Sequence, residues 1–357
     1  MKKIIALLVL VMLLAGCSDA KDTVETQTAN DASSTDSLDD TFYRIVKFDI
    51  NENRSSYYRS FNTVDFQTIG RELEVLSTDE FSTSDYYMAE GQILKYDNME
   101  QLTKRNNDNN DYEYSLQPDY GRVISNVTAP TMVSTVYELD FYSRSGDDYQ
   151  LAGASFAIVL DPRETNNTQL STYMDESEVI AYGREVIPKL YDYLKTLDEI
   201  KSLPVNICVY YATNTNESEI DGRYILKSYC NGDVGEIETL DYDMLMFSSS
   251  EAATSDEETS SQFEIFKSNI KNVAVEAVGV IGYGRYRDGQ LQSLRININA
   301  NVKTYTELLH LIETAADELN AQFGNEYDIT VLVYSQDQLE NIIIKERGES
   351  AKSILLY

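Results

Sequence analysis

The residues with most chemistry to offer are three cysteines and one histidine in a chain of 357. Cys17 follows Leu14-Ala15-Gly16, at the end of an apolar run, Ile4 to Ala15, that starts behind Lys2 and Lys3. A basic start, a short apolar stretch and small residues at the cut are the marks of an export signal. The twelve apolar residues rise only about 18 Å as a helix, too short for a hydrocarbon core of about 30 Å. Leu-Ala-Gly-Cys is the pattern that bacterial lipoprotein processing reads. It predicts that the Cys17 thiol takes a diacylglyceryl group and that cleavage after Gly16 leaves Cys17 as the new N-terminus, with fatty acyl chains such as palmitate holding it at the outer face of the cell membrane. Each buried methylene contributes about 0.8 kcal/mol, so two or three chains anchor where one would not.

Cys208 and Cys230 lie in β-like runs, Val205 to Tyr211 and Arg223 to Cys230. If these form a hairpin closed by the polar stretch 214–222, the two thiols fall opposite one another, at a Cα separation of about 4.5–5.5 Å that a disulfide can bridge. Export would permit oxidation. The other state open to them is two buried free thiols. His310 lies off the apolar stripe of its helix, beside Thr314 and Asp317, and is expected to face solvent. One His without a Gly-x-Ser-x-Gly or similar nucleophile context offers no catalytic triad, and one His with two strand cysteines offers no soft-metal site. Gly282 to Gly289 has the glycines of a phosphate loop but no helix directly after it to supply N–H groups, so a strand and a hairpin turn are expected there. Asn231 to Glu236 has clustered oxygens without the spacing of a 12-residue calcium loop. Carboxylates are so abundant, 60 against 29 Lys and Arg, that a glycosidase pair cannot be picked out. No catalytic residue, metal or cofactor is therefore expected. The 27 tyrosines suit a binding surface, although many must serve the core.

Removing residues 1–16 leaves 341 residues and takes the formal charge from −31 to −33. Such acidity disfavours nucleic acid and any broad electrostatic grip on an anionic membrane. The elements that must position these residues follow from periodicity. Ser18 to Asp40 has almost nothing large and apolar and reads as a disordered tether reaching about 25–30 Å. Phe66, Ile69, Leu73 and Leu76 predict a helix over 64–76. Gly91 to Leu94 is β-like, 105–111 is a polar loop, and Pro130 to Tyr142 leans towards helix. Ala154 to Leu160 is a strand. Asp175-Glu176-Ser177-Glu178 caps a helix that Pro188 must kink or split. Residues 248–261 read as a mobile loop. A helix with Phe263, Phe266, Ile270 and Val273 follows, then a hairpin turning at Arg287-Asp288-Gly289. Thr304-Tyr305-Thr306-Glu307 opens a helix with the stripe Tyr305, Leu308, Leu309, Ile312, Ala315, Ala316 and Leu319. Strands 328–334 and 340–345 come last.

The fold class is α+β, with a small, mostly helical region at 41–148, an α+β domain of antiparallel hairpins and helices at 149–347, and a tail at 348–357. Strand–helix–strand–strand occurs twice, from Ala154 to Cys230 and from Leu294 to Lys345. An internal repeat follows from that order, unless it is a pattern that any α+β domain reuses.

Collinear short motifs carry a resemblance over nearly the whole mature chain. They are Leu14-Ala15-Gly16-Cys17, Phe42-Tyr43-Arg44, Asp65-Phe66, Gly70, Leu73, Ser77, Tyr87, Gly91-Gln92-Ile93-Leu94, Ser177-Glu178-Val179, Gly183, Leu203-Pro204-Val205, Val209-Tyr210 and Tyr327-Asp328-Ile329. In this order they resemble the CamS-type sex-pheromone lipoproteins of Gram-positive bacteria. The resemblance implies a surface lipoprotein whose excised signal is trimmed to a short apolar peptide, here Leu10-Val11-Met12-Leu13-Leu14-Ala15-Gly16, acting through a receptor with an apolar groove. Plain degradation is the other fate of that segment. For the mature part it implies a non-enzymatic binding or envelope role. Two further classes stay open. A transporter's solute-binding lipoprotein would show two similar lobes closing on a crevice, and a glycan-processing enzyme would show a deep cleft with facing carboxylates.

Overall fold

The computed structural model describes residues 42–53, 65–106, 111–163, 173–213, 221–273 and 279–356. Cys17, segment 10–16 and the tether lie outside the described residues, as do 107–110 of the polar loop and most of the stretch between the two cysteine strands. In chain order the first unit comprises β1 (Arg44–Ile45), α1 (Phe66–Ser77), β2 (Tyr86–Glu90), α2 (Tyr96–Thr103), a small hairpin of β3 (Val123–Ile124) and β4 (Val127–Thr128), β5 (Val133–Ser145), β6 (Asp148–Leu160), α3 (Glu176–Leu194), β7 (Val205–Tyr211), β8 (Arg223–Cys230) and β9 (Glu238–Thr239). The second comprises β10 (Tyr242–Phe247), α4 (Ser250–Ser255), α5 (Glu257–Val273), β11 (Gly279–Arg287), β12 (Gln290–Ala300), α6 (Tyr305–Gln322), β13 (Asp328–Ser335), β14 (Gln338–Lys345) and β15 (Lys352–Leu355). The first sheet runs β1-β2-β5-β6-β7-β8-β9 and the second β10 through β15 in sequence order. This is the expected α+β class.

The repeat extends to the irregularities of the strands. In each unit an antiparallel hairpin (β5–β6, β11–β12) leads through a helix (α3, α6) to a parallel strand (β7, β13) and an antiparallel one (β8, β14). The parallel register matches Ala154 with Val205 and Leu294 with Ile329, which makes Ala154 and Leu294 equivalent. In that frame the hairpins bulge at the same place, opposite Phe141/Tyr142 and opposite Arg285/Tyr286. The last pairs also bulge alike, at Val209/Tyr210 and Val333/Tyr334. A bulge adds a residue and re-aims the strand; two at matching positions are the signature of one plan used twice.

The two units differ in how their faces are covered. The first sheet has a core on each side. α2 and α3 lie over one face, with Tyr182, Val186 and Leu190 against Phe156, Ile158 and Ile207. α1 lies over the other, with Ile69, Leu73 and Leu76 against Phe141, Val159 and Tyr210. Asp65 caps α1 by accepting from the N–H groups of Gln67 and Thr68, both at 3.0 Å, worth about 1 kcal/mol. Burial on both faces is why β7 is buried at every position and apolar at all but Asn206. The second sheet has one core, formed by α5 and α6 with Phe263, Phe266, Ile312 and Leu319. On β13, buried Ile329, Val331 and Val333 therefore alternate with half-exposed Thr330, Leu332 and Tyr334.

Several expectations need correction. Pro130 to Tyr142 is not helical: from Val133 it is strand β5, because β2 and β6 are available to pair with it on either side. The expected boundary at 148/149 falls at the start of β6, inside the β5–β6 hairpin. Gly91 to Leu94 is a turn following β2, and α3 runs through Pro188 as one helix. Residues 248–261 are largely helical: their Ser and Asp residues act as caps, Ser249 Oγ accepting from Ala252 N at 3.0 Å and Asp256 from Thr259 N at 2.9 Å. On α6, Tyr305 is exposed and Leu311 is buried. The hairpin over Gly282 to Gly289 stands as expected, with Asp288 and Gly289 at φ 52° and 68° in its turn. A Cβ on Gly282 would sit 2.7 Å from the buried Phe263 ring. Gly282→Ala should therefore cost about 1–3 kcal/mol by overpacking, read as a lower urea midpoint; an unchanged midpoint would contradict this packing.

Candidate functional site

The sequence-level candidates separate in space. Cys208 faces Lys227 and Cys230 faces Val205 across the β7–β8 pair. The thiols are not opposite one another, and they belong to cores on opposite faces of the sheet. Both are buried and free, so of the two states open to them the structure has the two free thiols and not the disulfide. Burial pushes Cys208 up to about 12 and raises Cys230 as well, which makes both poor nucleophiles. Alkylation after unfolding without reductant should label both; a peptide joining residues 208 and 230 would contradict this. His310 is solvent-exposed on α6. Among the described residues no group of three His, Cys, Asp or Glu could hold a metal ion.

Two polar clusters went unseen in the sequence. The first is a sealed carboxyl pair. Glu138 and Asp140 point the same way from β5, 3% and 0% exposed. The turn Gly91 to Leu94 wraps them. Glu138 accepts from the N–H groups of Ile93 at 2.8 Å and Leu94 at 2.9 Å, and Asp140 accepts from that of Gln92 at 2.9 Å. Asn51 Nδ2 fastens the turn from outside by donating to the carbonyls of Gly91 at 2.6 Å and Leu94 at 3.1 Å. A Cβ on Gly91 would come within 2.4 Å of Glu138, so only glycine lets the chain pass this close. Burial and the neighbouring Glu138 charge raise the Asp140 carboxyl well above the aspartate range; burial raises Glu138 too, against the pull of its N–H donors. Asp140 is the group that keeps a proton. So enclosed a pair holds a turn and meets no substrate. An acidic i, i+2 pair inside the apolar run Val133 to Phe141 was the available signal.

The second cluster is open to solvent. Between α1 and the β10–β12 edge of the second sheet lies a groove of about 320 Å³ lined by Arg71, Tyr283, Arg285, Ser293, Arg295 and Thr330. The register sets it out. Arg285 pairs with Ser293, and Tyr283 with Arg295, which in turn pairs with Thr330; all stand on the face that α5 and α6 leave uncovered. Arg71 reaches in from α1. Arg285 is ion-paired to Glu72, also of α1, and to Asp221 at 3.2 Å. Burial, with Arg71 and Arg295 close by, pulls its guanidinium down to about 10. Arg295 lies over the Tyr283 ring, 4.9 Å from its centroid, and Arg71 donates to Thr68 Oγ1 at 3.2 Å. Among the described residues neither Arg71 nor Arg295 has a carboxylate within 4 Å. Guanidinium groups bind and orient anions; they do not exchange protons near neutral pH.

With this geometry in place, comparison with known proteins is decisive about lineage. The family model described as CamS sex pheromone cAM373 precursor matches residues 49–351. The chain belongs to the CamS family. A sex pheromone precursor from Lactobacillus salivarius subsp. salivarius UCC118 has the same fold, with a TM-score of 0.78 at 19% identity over 93% of this chain and 99% of that one. The C-terminal domain of the sex pheromone staph-cAM373 precursor from Staphylococcus aureus follows at 0.67 and 17%, covering 82% and 96%. No curated protein matches in sequence. The CamS motif residues within the described part of this chain do structural work: Asp65 caps α1, Gly70 leaves room for the Tyr137 hydroxyl, which a Cβ there would meet at 2.9 Å, Ser77 donates to Ser155 at 2.7 Å, Gly183 lets α3 approach Leu226, and Gly91 to Leu94 cradle the carboxyl pair. None of them lines the arginine groove except through its neighbours on α1.

Proposed function

We propose that this CamS-family protein is an extracytoplasmic lipoprotein, anchored through acyl chains on Cys17, whose folded part is a non-enzymatic binding module. The observation that carries the anchor is Leu14-Ala15-Gly16-Cys17 at the end of a basic-then-apolar leader, in a chain whose family is described as pheromone precursors. Among the described residues no helix is long and apolar enough to cross a membrane. The arginine groove supports a binding role, because its charged side chains orient a ligand without supplying a general base. The excised segment Leu10 to Gly16, uncharged in its side chains, would be released as a short apolar peptide for a receptor with an apolar groove.

Labelled palmitate fed to expressing cells should join the wild-type polypeptide and not Cys17→Ser. Mass spectrometry of the culture supernatant should find fragments of residues 10–16 that provoke a conjugation or aggregation response in recipient cells. Equal labelling of both proteins would refute the anchor, and absence of active fragments would remove the pheromone part while leaving the lipoprotein.

A further inference from the structure

The arginine groove is the least expected feature of a chain with net charge −31. Three guanidinium groups from α1, β11 and β12 converge although carboxylates outnumber basic residues about two to one. The nearby acids share this field, Asp221 acting on Arg295 and Arg71 and Asp65 on Arg71, but their hydrogen bonds go elsewhere. Asp65 spends both oxygens on the α1 cap, accepting from Gln67 N, Thr68 N and Thr68 Oγ1. Glu72 and Asp221 are both paired to Arg285. Arg285 thus acts as a part-buried, ion-paired floor, and Arg71 and Arg295, both exposed, line the same groove with most of their N–H donors unspent.

We propose that this groove binds the phosphate group of a phosphate-bearing ligand, held between Arg71 from the helix side and Arg295 from the sheet side, with the Ser293 and Thr330 hydroxyls at its edge. The inference rests on the binding-module reading and is independent of the anchor. Two guanidinium forks approaching from different elements suit an anion whose oxygens fan out tetrahedrally; a carboxylate, with two oxygens in one plane, is satisfied by a single fork. The Tyr283 ring holds the Arg295 plane, which leaves its edge donors free for the ligand. The protein's overall negative field repels anions at long range, but at physiological salt the Debye length is about 8 Å, so contacts at bonding distance dominate. The pairing plan explains why, among the described residues, the second sheet and not the first carries such a site: the equivalent face of the first sheet is filled by α1 itself.

The test is calorimetric titration of the full chain in detergent, at constant physiological ionic strength, with inorganic phosphate, with glycerophosphoglycerol as a phosphodiester, and with acetate. Saturable binding of phosphate or of the diester, weakened about tenfold or more in both Arg71→Gln and Arg295→Gln, supports the proposal; which of the two binds tells a free anion from an esterified one. Both residues are exposed, so these variants should keep the wild-type melting temperature. Absence of saturable binding by either phosphate species, equal binding by acetate, or unchanged affinity in the two variants would overturn it. Palmitate labelling at Cys17 is unaffected by any of these results, so failure here is distinct from failure of the lipoprotein assignment.

Discussion

Glu138→Gln should lower stability by about 2–4 kcal/mol, although it changes neither size nor shape. The carboxylate accepts from two successive backbone N–H groups, one on each oxygen. An amide keeps one acceptor and turns an N–H towards the other donor, leaving a buried donor unmatched. For a unit of this size that is a fall in melting temperature of about 5–15 °C, measured by circular dichroism. A fall corresponding to less than about 1 kcal/mol would show that the turn Gly91 to Leu94 does not depend on this carboxylate.

Asp140→Asn should act in the opposite direction, and only over part of the pH range. The native Asp140 carboxyl is raised well above its ordinary value, by burial first and then by the Glu138 charge. In the unfolded chain it titrates near 3.9. Folding therefore takes up a proton at any pH between those two values. The contribution of Asp140 is full below the unfolded value and is lost as pH rises towards the native one, by about 1.4 kcal/mol per pH unit. Asparagine presents an N–H donor to Glu138 as the protonated acid does, with no proton to acquire. The stability of the variant relative to wild type should thus climb as pH rises above about 4. Other shifted carboxyls, such as Asp65, lowered by its cap hydrogen bonds against the raising effect of burial, and Asp221, raised by burial, are common to both proteins and cancel in the difference. A difference independent of pH would mean that Asp140 is ionised in the native protein.

Much of the scaffold was legible because local signals and tertiary packing agree. The capping box at Thr304 and Glu307, with the stripe through Leu308, Ile312 and Leu319, is an amphipathic helix against one sheet face, and α6 is that helix. The repeat was visible because both units need the same crossover between parallel strands. Expectation went astray where pairing partners distant in sequence decide the outcome. Val133 to Phe141 has too few turn signals to declare itself a strand, and the competition is settled by β2 and β6. The polar run around 248–261 lacks apolar periodicity, yet its Ser and Asp residues cap helices that dock through Ala252, Thr259 and Phe263. Register decides between the two cysteine states: Cys208 and Cys230 are offset by three positions along the hairpin, an odd number, which places them on opposite faces and leaves both free. The arginine groove was illegible for a related reason. Arg71, Arg285 and Arg295 carry no motif, and only the docking of α1 beside the second sheet brings them together.

Attachment through Cys17 is the claim on which the cellular role depends, and fractionation tests it most directly. Cells expressing the wild-type protein and Cys17→Ser are separated into washed membranes, membranes extracted with high salt, and medium. Wild-type protein should stay with the membranes through the salt wash, since on the proposed anchor several acyl chains, and not charge, would hold it. The serine variant should leave the washed membranes for the medium, or persist only as uncleaved precursor of higher mass. Mature-sized serine variant that resists the salt wash as well as wild type does would contradict the account.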